Sequence, residues 1–394
     1  MRVLLVTSRF PLPRWRGNQV RTVEWLEALC GHHLGLLCPE PPDRTSGELP
    51  ADVSHYSLGA ISRCTGLLRA AVSGLPLQEG LYDSGKARRA LSAMLRSWRP
   101  DVVVVQMVRC AWAAETVWKV SPPVPVVFDS IDAMGLHFER AAAVAAPALA
   151  AAYRTEAKRC RCRERMLVTR ARYSVAVSER DLVALGVPEG QGCVIPVAGR
   201  PAVGSKFSRI EPVVLLSGNL GYRPTAQGAE WFGREVWPRI HQRIPEARWI
   251  LAGARPARAV RRLAELPGVE VHADVPDLGP FLESARVAVA PMSSGSGVPM
   301  KVIEALAVGL PAVAHPWAAE GLSGEGGEAV AAPAHAAEWV EELERLLTDS
   351  EAARDLGERG HALWQRVYHP ERVAEQIRQV IAEAGTRGEL GIQT

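Results

Sequence analysis

The chain has 394 residues, a formal net charge of +3 at pH 7, 47% hydrophobic residues and 23% charged residues. A chain of this length predicts two domains, and the composition is that of a globular protein. The small net charge argues against a dedicated nucleic-acid binder, and no apolar run is long enough to span a membrane. The seven cysteines are odd in number and include no CxxC pair, which predicts reduced thiols in a cytoplasmic protein.

The first half alternates short apolar runs with longer amphipathic ones, a pattern that predicts a parallel sheet with crossover helices. The N-terminal run has no small-residue cleavage site and is broken by Pro11, so it predicts a first buried strand and not a signal peptide. A helix is predicted at residues 17–30 and a loop at residues 39–50. The predicted strands are residues 3–7, 34–38, 102–106, 124–128, 174–177 and 194–197.

The second half restarts the same rhythm, which predicts a second α/β domain. The predicted strands are residues 213–217, 248–252, 269–272, 287–290 and 312–314, and the predicted helices are residues 226–237, 278–284 and 371–384. We therefore expect an N-terminal domain over residues 1–197, a linker over residues 198–211 and a C-terminal domain over residues 212–368. We expect residues 369–394 to cross back to the first domain as a helix. Two such domains are expected to face a cleft lined by the carboxyl ends of both sheets.

A small-residue loop that opens into a helix, SSGSGVPMKVIEALA at residues 293–307, is the most informative segment. The unpaired N–H groups of such a loop and of the first helical turn favour an anion, and the helix dipole adds to this preference. Lys301 can reach the same anion, and Glu304 follows on the same helix face. Lys301 is also the only lysine after residue 206 in a chain with five lysines and forty-one arginines. The loop amides predicted to bind phosphate or sugar hydroxyls are those of Ser294, Gly295, Ser296 and Gly297. An ordinary strand–loop–helix junction is the alternative.

An ordered set of motifs across the second half resembles family 4 of the nucleotide-sugar glycosyltransferases, which have the two-domain GT-B fold. The matching segments are GNLGYRP at residues 218–224, WILAGA at residues 249–254, VEVHADVPDL at residues 269–278, and the run from Gly295 through EALAVGLPAV at residues 304–313. The resemblance implies an α/β fold of two Rossmann-like domains facing a central cleft. It also implies transfer of a sugar from a nucleotide-diphosphate donor, with retention and without a metal or other cofactor.

The resemblance also implies roles for particular residues. Lys301 would balance the leaving diphosphate, and Glu304 would hold a ribose or sugar hydroxyl. Ser296 stands where many family members carry an acidic residue, and Asn219 stands where they carry an arginine. The phosphate contacts would then depend on Lys301, on loop amides and on Arg223 or Arg255. The donor-binding residues outside the small-residue loop are Gly218, Asn219, Arg223, Gly253, Arg255 and Val275.

The first half resembles the family more loosely. Residues 11–21 are similar to the glycine loop that approaches the donor phosphates and the acceptor, which implies site roles for Gly17, Asn18 and Arg21. A plain turn and a surface arginine are the alternatives at Gly17 and Arg21. No GxGxxG follows the first strand, which disfavours a dinucleotide dehydrogenase.

Two carboxylates follow a strand in this half, and either Asp129 or Asp132 could accept the proton of the acceptor hydroxyl. A turn at Asp129 and a helix N-cap at Asp132 are the alternatives. His137 is a further candidate base, although a non-catalytic histidine is the commoner case. Gln106 and Arg109 follow another strand and are expected to line the acceptor pocket.

Two further features have both a functional and a structural interpretation. Trp15 and Trp317 lie beside predicted site loops and could stack on a ring or simply pack. A basic stripe on one helix face could meet an anionic membrane, although a solvated face is the commoner case. The stripe consists of Arg154, Lys158, Arg161 and Arg165. No cluster of residues has metal-ligand spacing.

Two other functions stay open. One is a nucleotide-sugar epimerase with the same fold, and the other is a non-catalytic nucleotide- or sugar-binding protein. The expected partners are a nucleotide-sugar donor and a small-molecule, lipid-linked or glycan acceptor, with no nucleic acid and at most peripheral membrane contact. The base, the sugar, the acceptor and the oligomeric state do not follow from the sequence.

Overall fold

The structure is a computed structural model that describes residues 1–14, 16–41, 48–199, 211–293, 299–322 and 326–386. The chain forms two compact units. The first comprises Met1–Pro196 together with Val373–Thr394, and the second comprises Val197–Arg372.

The first unit is built on a seven-stranded parallel sheet in the order β3-β2-β1-β4-β5-β6-β7. Its strands are Arg2–Val6 (β1), His33–Pro39 (β2), Asp52–Tyr56 (β3), Val102–Gln106 (β4), Val126–Asp129 (β5), Tyr173–Ala176 (β6) and Gly192–Val194 (β7). Its helices before the interdomain segment are Gly17–Ala28 (α1), Ala60–Ser73 (α2), Leu77–Gly80 (α3), Gly85–Ser97 (α4), Ala111–Val120 (α5), Met134–Ala143 (α6), Pro147–Arg170 (α7) and Glu179–Leu185 (α8).

The two central strands of this sheet, β1 and β4, are runs of valine and leucine whose residues are almost all buried. A parallel strand covered by helices on both faces must be apolar on both faces, which explains why these runs do not alternate with polar residues. The edge strand β3 is half-exposed, and its sequence DVSHY lacks such a run, so no strand was predicted there. The last strand begins earlier than predicted, at Gly192.

The second unit is built on a five-stranded parallel sheet in the order β10-β9-β8-β11-β12. Its strands are Val213–Asn219 (β8), Arg248–Ala254 (β9), Val269–Ala273 (β10), Val287–Ala290 (β11) and Ala312–Ala314 (β12). The helices that follow β8 in chain order are Arg223–Glu235 (α9), Trp237–Arg243 (α10), Arg258–Arg262 (α11), Gly279–Ser284 (α12), Met300–Ala307 (α13), Pro316–Ala319 (α14), Gly326–Ala329 (α15), Ala336–Thr348 (α16), Ser350–Leu363 (α17) and Pro370–Thr386 (α18).

The second sheet separates two hydrophobic clusters. Val213 and Leu215 of β8 belong to one cluster, while Val214 and Leu216 belong to the other. Successive strand residues point to opposite faces, so one strand supplies both clusters. The four residues are nearly or completely buried, and the carboxyl end of β8 is thereby held between two packed layers.

The last helix, α18, belongs to the first unit from Val373 onward. Its apolar face is buried through Val373 and Ile377, and the Arg378 guanidinium donates a hydrogen bond to the Ala28 carbonyl oxygen at 3.3 Å. Among the described residues, no helix has both the length and the apolar character needed to cross a membrane. All seven cysteines are free.

Candidate active site

Unusual backbone conformations mark the carboxyl ends of strands in both units. In the first unit, Met107 after β4 has φ 64° and Ile131 after β5 has φ 60°. In the second unit, Arg255 after β9 has φ 51° and Asp274 after β10 has φ 54°. A positive φ is costly for residues with a side chain and is concentrated at functional sites. Parallel α/β sheets bind their ligands at this same edge. We therefore describe the carboxyl edge of each unit by itself as a candidate binding edge.

Two glycines shape the edge of the second unit. Gly218 and Gly253 are register partners at the ends of β8 and β9, with φ 102° and 152°. A Cβ on Gly253 would overlap the carbonyl oxygen of Gly218. The two turns therefore require glycine and leave bare backbone at the point where the sequence predicted donor binding.

Lys301 lies in the first turn of α13 and is half-buried. Its ammonium contacts the Thr225 hydroxyl and the Met292 sulfur, both at 3.4 Å. Burial lowers the pKa of Lys301 to about 8, and the Glu304 carboxylate acts in the opposite direction. Burial desolvates the ammonium. Because neither contacting atom carries a charge, the ammonium is able to oppose the charge of a bound anion.

The other predicted donor residues have varied surroundings. Asn219 accepts a hydrogen bond from the Gly221 amide at 3.1 Å, and the Arg255 amide donates to the Asp274 carboxylate at 2.7 Å. Arg223 and Arg255 have exposed side chains, and Val275 is half-buried against the core. Ser294, Gly295, Ser296, Gly297 and Trp15 lie outside the described residues. The sequence analysis missed the contacts of Thr225 and Met292 with Lys301, because neither residue type signals a phosphate site.

A buried polar network underlies the edge of the first unit. The Arg21 guanidinium donates to the Asp129 carboxylate through Nε at 3.2 Å, and neither side chain has any exposed surface. The Gln106 amide donates to the same carboxylate at 3.0 Å and accepts a hydrogen bond from the Thr22 hydroxyl at 2.7 Å. Arg21 also donates to the Pro196 carbonyl oxygen at 3.0 Å. These polar side chains therefore find hydrogen-bond partners within the protein.

This network bears on three of the predicted site residues. Asp129 has no exposed oxygen with which to take a proton from an acceptor, because its carboxylate is enclosed by Arg21 and Gln106. Arg21 has no exposed nitrogen for a phosphate, and Gln106 is buried instead of lining a pocket. Burying an arginine and a carboxylate is tolerable only when they pair and their remaining hydrogen bonds are met. In this structure the three residues pair with one another and fix the strand ends, and ligand contact by any of them stays a prediction.

The half-buried residues of this edge are Asp132, Arg109 and His137. The Arg109 guanidinium donates from Nε to the Gln78 side-chain oxygen at 2.6 Å. Burial and the Arg109 charge lower the pKa of His137, which favours a neutral imidazole able to accept a proton. The N-cap of α6 is Ala133 and not Asp132, so the capping role considered for Asp132 is not found.

The remaining predicted residues lie at the start of α1 and on α7. Gly17 is exposed, and a Cβ there would meet nothing within 4 Å. Asn18 is half-buried, and its carbonyl oxygen accepts a hydrogen bond from Thr22. The backbone amide of Trp317 donates to the His315 imidazole at 3.2 Å. The predicted basic stripe on α7 is exposed, and one of its members, Arg161, pairs with Glu139. Among the described residues, no group of three or more histidines, cysteines or carboxylates could hold a metal ion.

Comparisons with known proteins bear on the fold and the family. Residues 211–349 match the family described as glycosyl transferases group 1. The sucrose-phosphate synthase of Thermosynechococcus elongatus has a similar structure, with a TM-score of 0.74 and 19% identity over 97% of this chain and 98% of that chain. No curated protein sequence gives a match.

Two similar structures contain a nucleotide sugar. Anabaena Alr3699/HepE in complex with UDP-glucose has a TM-score of 0.69 and 11% identity, over 97% of this chain and 99% of that chain. The E. coli trehalose-6-phosphate structure bound with UDP-2-fluoro glucose has a TM-score of 0.63 and 11% identity, over 98% of this chain and 99% of that chain. The predicted GT-B fold is confirmed.

Proposed function

We propose that this chain, a glycosyltransferase with the GT-B fold whose residues 211–349 match the group 1 family, transfers a sugar from a nucleotide-diphosphate donor to an acceptor hydroxyl. The second unit binds the donor and the first unit binds the acceptor. The observation that carries the proposal is Lys301, a desolvated ammonium in the first turn of the helix that follows the small-residue loop. Donor complexes of similar structures make a UDP-sugar the first candidate.

In the proposed reaction, the bond between the anomeric carbon and the diphosphate oxygen breaks, and a bond forms to the acceptor oxygen. Negative charge develops on the leaving diphosphate, and Lys301 with the loop amides stabilises it. The acceptor proton passes to a base, for which His137 and Asp132 are the half-buried candidates. Glu304 holds a donor hydroxyl. We propose retention of the anomeric configuration and independence of metal, since Lys301 supplies the charge that faces the diphosphate. The free cysteines support a cytoplasmic location.

A thermal-shift titration with UDP, GDP, dTDP and ADP, in EDTA, tests the donor site. A ligand that binds only the folded protein raises its melting temperature by mass action. We expect a saturable shift with one nucleotide and at least a tenfold loss of affinity in Lys301→Ala. An unchanged affinity in that variant would remove Lys301 from the phosphate site. The absence of any shift would favour a non-catalytic protein.

Product analysis then identifies the reaction. Transfer of a labelled sugar only when acceptor is present supports the proposal, whereas conversion of the donor sugar without acceptor indicates an epimerase. The anomeric proton coupling of the product, measured by NMR, reports retention or inversion.

A further inference from the structure

Arg109 is an unusual arginine because its guanidinium is half-buried without a carboxylate partner. Its Nε donates to the neutral Gln78 side chain at 2.6 Å. Neither Nη1 nor Nη2 makes a hydrogen bond or an ion pair with any residue that the structure describes. Burial lowers the pKa of Arg109. The Asp132 carboxylate acts in the opposite direction. A half-buried guanidinium whose Nη groups have no partner among the described residues favours a bound anion.

The Gln78 side chain supplies a second unsatisfied donor beside this guanidinium. Its Nε2 is buried and has no partner among the described residues. The orientation of the amide is fixed, since its oxygen must face the Arg109 Nε–H. A buried amide N–H without a partner costs on the order of 1–3 kcal/mol, and an anion bound to Arg109 would satisfy it.

Helix α7 holds this pair of donors in place. The Glu156 carboxylate accepts a hydrogen bond from the Leu77 amide at 2.7 Å and one from the Gln78 amide at 3.4 Å. Arg163 pairs with Glu79 at 2.6 Å, and both residues are buried. The short helix α3 is therefore fixed at both its start and its side, so Gln78 and Arg109 meet in a preset geometry, as a receptor requires.

The charges around Arg109 are mainly positive. Arg9 lies close enough to lower the pKa of Arg109, and Arg109 in turn lowers the pKa of His137. Tyr82, Asp132 and Cys110 act in the opposite direction on Arg109. Of these groups, Asp132 is the one carboxylate, whereas Arg9 and Arg109 are both guanidinium groups. The cluster therefore has room for further negative charge.

We propose that Arg109, Arg9 and the Gln78 amide form a binding site for a phosphate monoester carried by the acceptor. A guanidinium with two unengaged NH₂ groups suits a bidentate oxyanion. Two guanidinium groups match an ion whose charge at pH 7 is about −1.5 to −2, which favours a phosphate over a carboxylate. The inference rests on the proposed glycosyl transfer and names the acceptor class, a phosphorylated sugar or alcohol.

Isothermal titration calorimetry with the full chain tests this site. The probes are inorganic phosphate, glucose 6-phosphate, glucose and glucuronate, each added in saturating UDP so that the Lys301 site is occupied. We expect glucose 6-phosphate and inorganic phosphate to bind, glucose not to bind, and added salt to weaken binding. Binding of glucuronate without binding of either phosphate would overturn the phosphate assignment.

Variants separate this site from the donor site. We expect Arg109→Gln to weaken glucose 6-phosphate binding at least tenfold, Arg109→Lys to weaken it less, and the exposed-helix control Arg165→Gln to leave it unchanged. Arg9→Gln, a half-buried position, gives an independent loss if Arg109→Gln fails to fold. Lys301→Ala should lose UDP and keep glucose 6-phosphate. Two outcomes would overturn the proposal and leave the proposed function standing. In one, both arginine variants bind phosphate with wild-type affinity. In the other, the wild-type protein binds UDP but no phosphate.

Discussion

Arg21 and Asp129 lie 108 positions apart in the chain, yet they form an ion pair in which neither side chain has any exposed surface. The pair joins the helix after the first strand to the end of β5, and Gln106 at the end of β4 hydrogen-bonds to the same carboxylate. Three elements that reach the carboxyl edge of the first sheet are thereby fixed to one another. Arg109 and His137 follow the ends of β4 and β5, which these contacts join.

Removing one partner of this pair should destabilise the first unit strongly. Asp129→Asn leaves the Arg21 charge buried without compensation, which costs about 3–5 kcal/mol. Scanning calorimetry measures this cost, with UDP used to identify the transition of the second unit. In the double variant that combines Asp129→Asn with Arg21→Met, the loss of unfolding free energy should be smaller than the sum of the losses in the two single variants. If Asp129→Asn unfolds like the wild-type protein and abolishes transfer, Asp129 is a catalytic base after all.

Nucleotide affinity should depend on pH through Lys301. The pKa of this lysine is lowered from its usual 10.5 to about 8 by burial, so the ammonium loses its proton, and its attraction for phosphate, as the pH rises through 8. The phosphate groups titrate near pH 6, below this range. We expect the dissociation constant of UDP, measured by calorimetry from pH 7 to 9.5, to rise about tenfold per unit above pH 8. Lys301→Ala should bind weakly at every pH. The same break near pH 8 in that variant would assign it to another group.

Glu164 should make stability depend on pH. Its carboxylate accepts a hydrogen bond from the Met134 amide at 2.6 Å and another from the Gly135 amide at the start of α6. Burial nevertheless raises its pKa from 4.5 to about 7. Between these values the folded state binds more protons than the unfolded state, so the contribution of Glu164 to stability falls as the pH rises from about 4.5 to 7.

The matched variant is Glu164→Gln, which keeps an acceptor oxygen and does not titrate. We expect the free energy of unfolding of the wild-type protein, relative to that of the variant, to fall by about 1–3 kcal/mol between pH 5 and 8. Urea denaturation at several pH values measures the difference. Parallel curves for the two proteins would show that Glu164 titrates normally.

Two glycine substitutions separate a folding role from a binding role. Gly253→Ala introduces a Cβ that overlaps the Gly218 carbonyl oxygen at a positive φ, so we expect a loss of at least about 2 kcal/mol in the second unit. The Cβ that Gly17→Ala adds meets nothing within 4 Å, so this variant should leave the melting temperature unchanged. If the Gly17 loop approaches the donor, the KM for the donor should rise several-fold in Gly17→Ala. An unchanged KM would make Gly17 an ordinary helix start.

The elements that the sequence predicted well are those whose residues share one local pattern. Strands β4, β11 and β12 have the predicted bounds, because a short apolar run between turns is typical of a strand buried on both faces. The edge strand β3 was missed because an exposed strand needs no such run. The polar character of Asp129 and Arg21 was visible, but their burial was not.

The sequence by itself determined the two-sheet architecture, the GT-B resemblance and the position of Lys301, because apolar periodicity and glycine-rich turns are local properties of the chain. Only the tertiary structure decided which polar residues are buried and satisfy one another and which stay partly exposed at a sheet edge. Arg21 with Asp129 and Arg109 with Gln78 are separated by 108 and 31 positions. The sequence does not distinguish a charged residue that pairs in the core from one that lies at a sheet edge. The role of such a side chain depends on its solvent exposure and on its partners, which only folding determines.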